Sequence, residues 1–156
     1  MKPLFTFLAC LICIQLLACD KNNEVIRSSN TDSTKLKITV GPKTFTATVY
    51  DNETVAAFKT RLPLTITMKE LNYNEKYFDL PYHLPANASN PGTIQAGDLM
   101  LYGSNTLVLF YKTISTSYNY SRIGGINNPL GLATALGSGS KTVRFELEQQ
   151  RSSINN

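Results

Sequence analysis

Few side chains in this chain carry the chemistry that catalysis or metal binding demands, and their positions narrow what it does. The 156 residues include one histidine, His83, and three cysteines, Cys10, Cys13 and Cys19. His83 stands between Pro81 and Pro85 and reads as a loop residue. With a lone imidazole and no cysteine after Cys19, a Ser-His-Asp arrangement, thiol catalysis and an ordinary zinc site are not expected. No cofactor is implied. Asp98 follows Gly97 at a strand entrance, where a general base is conceivable but a turn carboxylate bonded to its own backbone is the expected role. Glu146 and Glu148 alternate outward on one strand, as a solvated face does and a converging acid and base pair does not. Gly137-Ser138-Gly139-Ser140 follows a helix instead of opening one, so it is a flexible turn and not a phosphate cradle. What remains is aromatic. Tyr77, Phe78 and Tyr82 fall in one irregular stretch, and Tyr118, Tyr120 and Arg122 share one parity in another. Such residues either pack on one another or line a groove, because tyrosine combines an apolar face with a polar tip and a guanidinium stacks on it. These six are the candidate ligand-binding residues.

Composition sets the frame around them. A hydrophobic fraction of 42% with 17% charged residues is that of an ordinary globular domain. The net charge of +4 is mild, and the Lys and Arg residues are scattered, without the basic stripe of a nucleic-acid binder. Nucleic acid is not an expected partner.

The N-terminus suggests an address. Met1-Lys2 gives a positive start and Leu4 to Leu17 a continuous apolar run. That run is short for a permanent span, which takes roughly 20 residues, so residues 1–18 read as a secretory signal peptide. Leu16-Leu17-Ala18-Cys19 resembles the lipobox of bacterial lipoproteins. The resemblance implies lipidation of Cys19, cleavage in front of it, and an exported protein anchored to a membrane of the bacterial cell envelope, on its periplasmic or outer-membrane face. Residues 19–34 are polar, rich in Asn and Ser, and read as a tether holding the domain on the order of 20 Å from the lipid. Without disulfides, an exported domain is held by its core alone.

The elements that must position the aromatic set follow from periodicity. The run GDLMLYGSNTLVLFYK, Gly97 to Lys112, holds two apolar segments around the turn Gly103-Ser104-Asn105-Thr106, and it predicts a β-hairpin. Almost no polar residue alternates within it, so both faces should be covered. Before it, Leu36 to Val40 and a segment carrying Phe45, Ala47 and Val49 inward predict a first hairpin across Gly41-Pro42-Lys43. Asp51 or Asn52 should cap a short helix presenting Val55, Phe58 and Leu62, stopped by Pro63. Leu64, Ile66 and Met68 predict a third strand, and residues 72–91, with three prolines, a long surface connection. After the central hairpin, residues 113–126 predict a further strand. Asn128, Pro129 and Gly137 bound a second helix presenting Leu132, Ala133 and Leu136. The last strand, residues 142–148, turns Val143, Phe145 and Leu147 inward and Arg144 and Glu146 outward, and residues 149–156 form a polar tail. The sum is a mainly β fold over residues 35–148, a small closed β-barrel with two short helices capping it.

The order GDLMLYGSNTLVLFYK, SYNYSRIGGI, PLGLATALG and a final strand with a charged face is similar to small bacterial cyclophilin-like proteins, divergent relatives of the peptidyl-prolyl isomerases. The resemblance spans about Lys35 to Glu148. The enzymes carry an arginine and a phenylalanine upstream of a Gln-Gly-Gly-Asp run, then a Gln-Phe-Phe strand, a tryptophan and a histidine. Here Gln95-Ala96-Gly97-Asp98 is similar to the first run, but Asn87 and Gly92 stand where the arginine and phenylalanine belong, there is no tryptophan, and His83 precedes the hairpin. The resemblance therefore implies a non-catalytic module binding a peptide, glycan or small ligand. Its alternative is a weak prolyl isomerase acting on exported proteins, with Arg122 as donor to the amide nitrogen and Phe110 in the pocket.

Overall fold

The computed structural model describes residues 34–148. The expected leader at 1–18, Cys19 with its lipid, the tether up to residue 33 and the tail at 149–156 lie outside the described residues.

Two antiparallel strands, β1 (Lys35–Val40) and β2 (Lys43–Val49), form the first hairpin, with Gly41 at a φ of 56° in its turn. Helix α1 (Glu53–Lys59) follows. Its N-cap is Asn52, whose Oδ1 accepts from the Val55 N–H at 2.9 Å while its Nδ2 donates to the Arg122 carbonyl at 2.9 Å, so one side chain both starts the helix and ties it to a distant strand. Val55 and Phe58 are buried as the periodicity predicts, with Leu62 half-buried against the same core. Strand β3 (Leu64–Leu71) then pairs with β4 (Glu75–Asp79).

Strand β4 is a correction. Residues 75–79 belong to no surface connection: they form a barrel strand between β3 and β7 (Thr106–Phe110), and Tyr77 and Phe78 are strand residues, not loop residues. The irregular connection begins only at Leu80. Glu-Lys-Tyr-Phe-Asp hides its period because its inward member is a lysine, where alternation requires an apolar residue. Two residues with positive φ make the β3–β4 turn, Asn72 at 52° and Tyr73 at 56°. They are the central pair of a turn closed by the Asn74 N–H on the Leu71 carbonyl at 3.3 Å, within a three-residue loop, and positive φ is a backbone a tyrosine pays for sterically. Tyr73 is largely exposed and so gains little from packing. Tyr73→Gly should raise stability by about 0.5–1 kcal/mol, read as a higher thermal midpoint; a lower midpoint would show that the exposed ring has a packing role after all.

The central hairpin pairs β6 (Asp98–Tyr102) with β7 as predicted. Leu99, Leu101, Leu107 and Leu109 point into the main core, while Met100, Val108 and Phe110 point outward. The outward face is also dry, because a two-stranded ribbon of β5 (Thr93–Ile94) and β8 (Ile114–Ser115) lies on it and sets Ile94 and Ile114 against those side chains. Strand β9 (Tyr120–Ile126), helix α2 (Leu132–Leu136) and β10 (Lys141–Leu147) complete the chain. The eight long strands close into a barrel in the order β1-β10-β3-β4-β7-β6-β9-β2. Both helices contribute to its core through Val55, Phe58, Leu132 and Leu136.

Three smaller expectations are corrected. Asn128 does not cap α2: its Oδ1 accepts from the Leu130 N–H at 3.1 Å, an Asx turn, and the N-cap is Gly131. Gly137 does close the helix, but Ala133 is exposed and Ala135 takes the half-buried position. Leu147 follows the inward parity of Val143 and Phe145 yet is 42% exposed, at the end of its strand. No described helix is long and apolar enough to cross a membrane.

Candidate functional site

Parity along β4 builds the site. Lys76, Phe78 and Leu80 turn toward the barrel interior and Glu75, Tyr77 and Asp79 toward the outside. Register then places Glu75 opposite Phe110, Tyr77 opposite Val108 and Asp79 opposite Thr106 on β7, while Tyr102 of β6 faces both Thr106 and, across its other edge, Tyr120 of β9. These outward side chains meet residues 114–118 of the β8 arm, and between them lies a cleft of about 570 Å³. A cleft of that size is in the range that takes small molecules.

Tyrosines wall it. Tyr102 packs edge-on against Tyr118 at 6.1 Å and tilted against Tyr120 at 5.5 Å, and Tyr120 rests edge-on against Phe110 at 5.7 Å. Tyr77 lines the β4 side, with the Lys69 ammonium 5.9 Å from its ring on β3. The charged residues lining the cleft are Glu75 and Asp79, both acidic. Asp79 accepts from the Thr106 hydroxyl at 2.7 Å. Glu75 is 7% exposed, and among the described residues no ion pair reaches it. Burial and the negative charge of Glu70 push its carboxyl up to about 7. Burial, then the nearby Glu75 charge, pushes the Tyr120 phenol up to about 12, so it remains a proton donor. Asn74, beside Glu75, also lines the cleft and keeps its Oδ1 buried without a partner among the described residues.

Lys76, next to Glu75, is not its counter-ion, because adjacent strand residues point to opposite faces. Its fully buried ammonium is held inside by Glu70 and by the carbonyls of Gly137 at 2.8 Å and Gly139 at 2.6 Å.

Of the six candidate ligand-binding residues, the structure brings three together: Tyr77, Tyr118 and Tyr120. Phe78 packs against the barrel core. Tyr82 also packs against that core, beneath the Arg61 guanidinium at 4.6 Å. Arg122 lines a separate recess of about 240 Å³ with Asn87 and Ser89, and Phe110, fully buried, lines no part of that recess. Asp98 is the turn residue expected, its Oδ2 accepting from the Gln95 N–H at 2.8 Å. His83 is an exposed loop residue whose Nδ1 lies 2.7 Å from the Ser104 hydroxyl. Glu146 sits outside, ion-paired to Lys37 and Arg144. Among the described residues, no three His, Cys, Asp or Glu side chains gather as a metal site would require. Sequence reasoning missed Glu75 and Tyr102. The signal for Glu75 was the alternation Glu75, Tyr77, Asp79, which becomes visible once Lys76 is admitted as an inward residue.

Comparison with known proteins agrees with the architecture. A model of the family described as cyclophilin-like matches residues 38–148. A hypothetical protein of Archaeoglobus fulgidus, solved in solution, is similar at 20% identity with a TM-score of 0.51, over 74% of this chain and 95% of that one. At that identity the likeness concerns the fold. No curated protein is similar enough in sequence to match.

Proposed function

The chain belongs to the cyclophilin-like family, and from that premise we propose that it is a non-catalytic binding module whose ligand site is the tyrosine-walled cleft on the outer face of β4, β7, β6 and β9. The carrying observation is that cleft itself, about 570 Å³, with Tyr77, Tyr102, Tyr118 and Tyr120 around a buried carboxyl, Glu75, that no ion pair reaches among the described residues. Such a site holds a peptide, glycan or small ligand by ring faces and a few polar groups. The reading is favoured over a weak isomerase because Arg122 lines the separate recess beside Asn87 while Phe110 is buried and lines neither that recess nor the cleft. The lipobox-like Leu-Leu-Ala-Cys supports export and anchoring through Cys19 in a bacterial envelope, so the module would work at a membrane surface on exported partners.

A thermal-shift ligand screen on the full chain tests the site. Hits should lose about fivefold or more in affinity in Tyr120→Ala and in Tyr102→Ala, since a stacked ring contributes on the order of 1 kcal/mol. If both variants stay folded and every hit keeps its affinity, the cleft is not the site. A proline-peptide isomerisation assay on the same preparation should show no turnover above background. Incorporation of a clickable palmitate analogue, lost in Cys19→Ala, checks the anchor.

A further inference from the structure

Resting on the binding reading above, we propose that the ligand of the tyrosine-walled cleft presents an alkylammonium group, with Glu75 as counter-ion and the tyrosine rings as its walls. Three observations converge. The lining holds two carboxylates, Glu75 and Asp79, and no lysine, arginine or histidine, although the chain as a whole carries a net charge of +4. An anion would meet repulsion there and no donor stronger than a hydroxyl or amide. Tyr77, Tyr102, Tyr118 and Tyr120 present ring faces and edges around the same space, and the negative faces of such rings attract cations. The buried Glu75 has no charge partner among the described residues, and the neighbouring Asn74 Oδ1 has no donor. Both are acceptors, which an N–H-bearing cation complements.

The groups that face Glu75 fix the sign of the pH dependence. Glu70 on β3 repels its charge. Asp79 on its own strand, Tyr111 after β7 and Tyr120 on β9 add only acidic or neutral groups. Among the described residues, Lys76 is engaged with Glu70 inside the barrel, and Lys69, which does not line the cleft, lies over the Tyr77 ring at its β4 side without an ion pair to Glu75. With its carboxyl raised to about 7, Glu75 is mostly neutral at pH 6 and ionised at pH 8, so ammonium binding strengthens as pH rises and levels off above neutrality.

The test uses the full chain and four probes. Phenethylammonium is compared with its neutral analogue 2-phenylethanol, with 3-phenylpropionate, and with Nα-acetyl-lysine amide, which separates a free amine from a lysine side chain. Titration is followed by calorimetry and by tyrosine emission, which the absence of tryptophan leaves unmasked. Phenethylammonium or the lysine derivative should bind at least tenfold tighter than the neutral and anionic probes at pH 8, and about tenfold more weakly at pH 6. Glu75→Gln should abolish both the preference and the pH dependence while the neutral probe binds as before. Equal or tighter binding of the neutral or anionic probe, or an ammonium affinity that Glu75→Gln leaves unchanged, overturns the proposal. If the neutral probe binds and is lost in Tyr120→Ala while no ammonium preference appears, the cleft remains a binding site and only its charge preference falls. If no probe binds, the ammonium proposal falls as well.

Discussion

Replacing Lys76 with methionine should lower the unfolding free energy by about 3–5 kcal/mol, the range found when one member of a buried ion pair is removed. Lys76 is fully buried, and each of its three ammonium protons has an acceptor: Glu70, the Gly137 carbonyl at 2.8 Å and the Gly139 carbonyl at 2.6 Å. The other Glu70 oxygen accepts from the Tyr111 hydroxyl at 2.7 Å, and the Tyr111 ring lies 5.7 Å from the ammonium. One cation therefore fastens β3, β4, the end of β7 and the link between α2 and β10. Methionine fills the volume but leaves a carboxylate and two carbonyls without their donor. Urea unfolding followed by tyrosine emission measures the loss, and a loss below about 1 kcal/mol would mean the network contributes little beyond what methionine restores. The double variant with Glu70→Gln should be less destabilised than the sum of the single changes by about 1–3 kcal/mol, because the two residues act as one unit.

The same pair has a pH signature. Burial works to raise the Glu70 carboxyl, but the hydrogen bonds from Lys76 and Tyr111 and the Lys76 charge outweigh it, and the carboxyl ends below its ordinary 4.5. A group lowered in the folded state contributes stability above its unfolded value and loses it as pH falls through its folded value. Acid unfolding of the wild type should thus steepen below pH 4.5, and Lys76→Met should flatten that part of the profile. Glu75 acts in the opposite sense. Raised from 4.5 to about 7, it costs stability progressively as pH climbs between those values.

How much of this was legible in the chain depends on which physical rule each residue obeys. The hairpin around Gly103 was readable because Leu99, Met100, Leu101, Leu107, Val108 and Leu109 are apolar on both parities, and the structure covers both, one by the barrel and one by the β5–β8 ribbon. The ribbon itself was not readable. Two-residue strands such as Thr93–Ile94 and Ile114–Ser115 are too short to show a period. Strand β4 escaped because patterning assumes that inward residues are apolar, and Lys76 is inward through a tertiary network assembled from residues 70, 111, 137 and 139. That oversight also cost the site. Tyr118 and Tyr120 were found by parity. Arg122 keeps the parity of Tyr120, opposite Met100, and the register shifts only beyond it, where Leu99 faces Gly124; two residues along the strand from Tyr120, Arg122 lines the recess beside Asn87 and not the cleft of the tyrosines.

That register shift sits beside the position expected to be the next most sensitive in the barrel, and Gly124→Ala should destabilise it by about 2–3 kcal/mol, the upper part of the usual overpacking range. Gly124 is paired on both edges, with Leu99 of β6 and with Val49 of β2, so its strand cannot slide aside without opening one seam. A Cβ there would lie 2.5 Å from the Thr48 carbonyl oxygen and 3.0 Å from the Val49 Cα. Both obstacles are backbone, and no side-chain rotation relieves them. Close approach of this kind is what glycine permits where a strand turns a barrel corner. Gly125→Ala is the control, since the nearest atom to its added Cβ is an Asp98 carboxylate oxygen at 3.4 Å, an ordinary contact on a movable side chain; it should cost less than about 1 kcal/mol. Paired urea titrations of the two variants separate a steric seam from a general need for flexibility. Hydrogen exchange should show the extra opening of Gly124→Ala concentrated in the amides of β2 and β9, the two strands the new methyl forces apart. If both alanines cost the same, the contact between β9 and β2 has room that the close approach at Gly124 denies, and closure of the barrel rests on something other than a missing side chain.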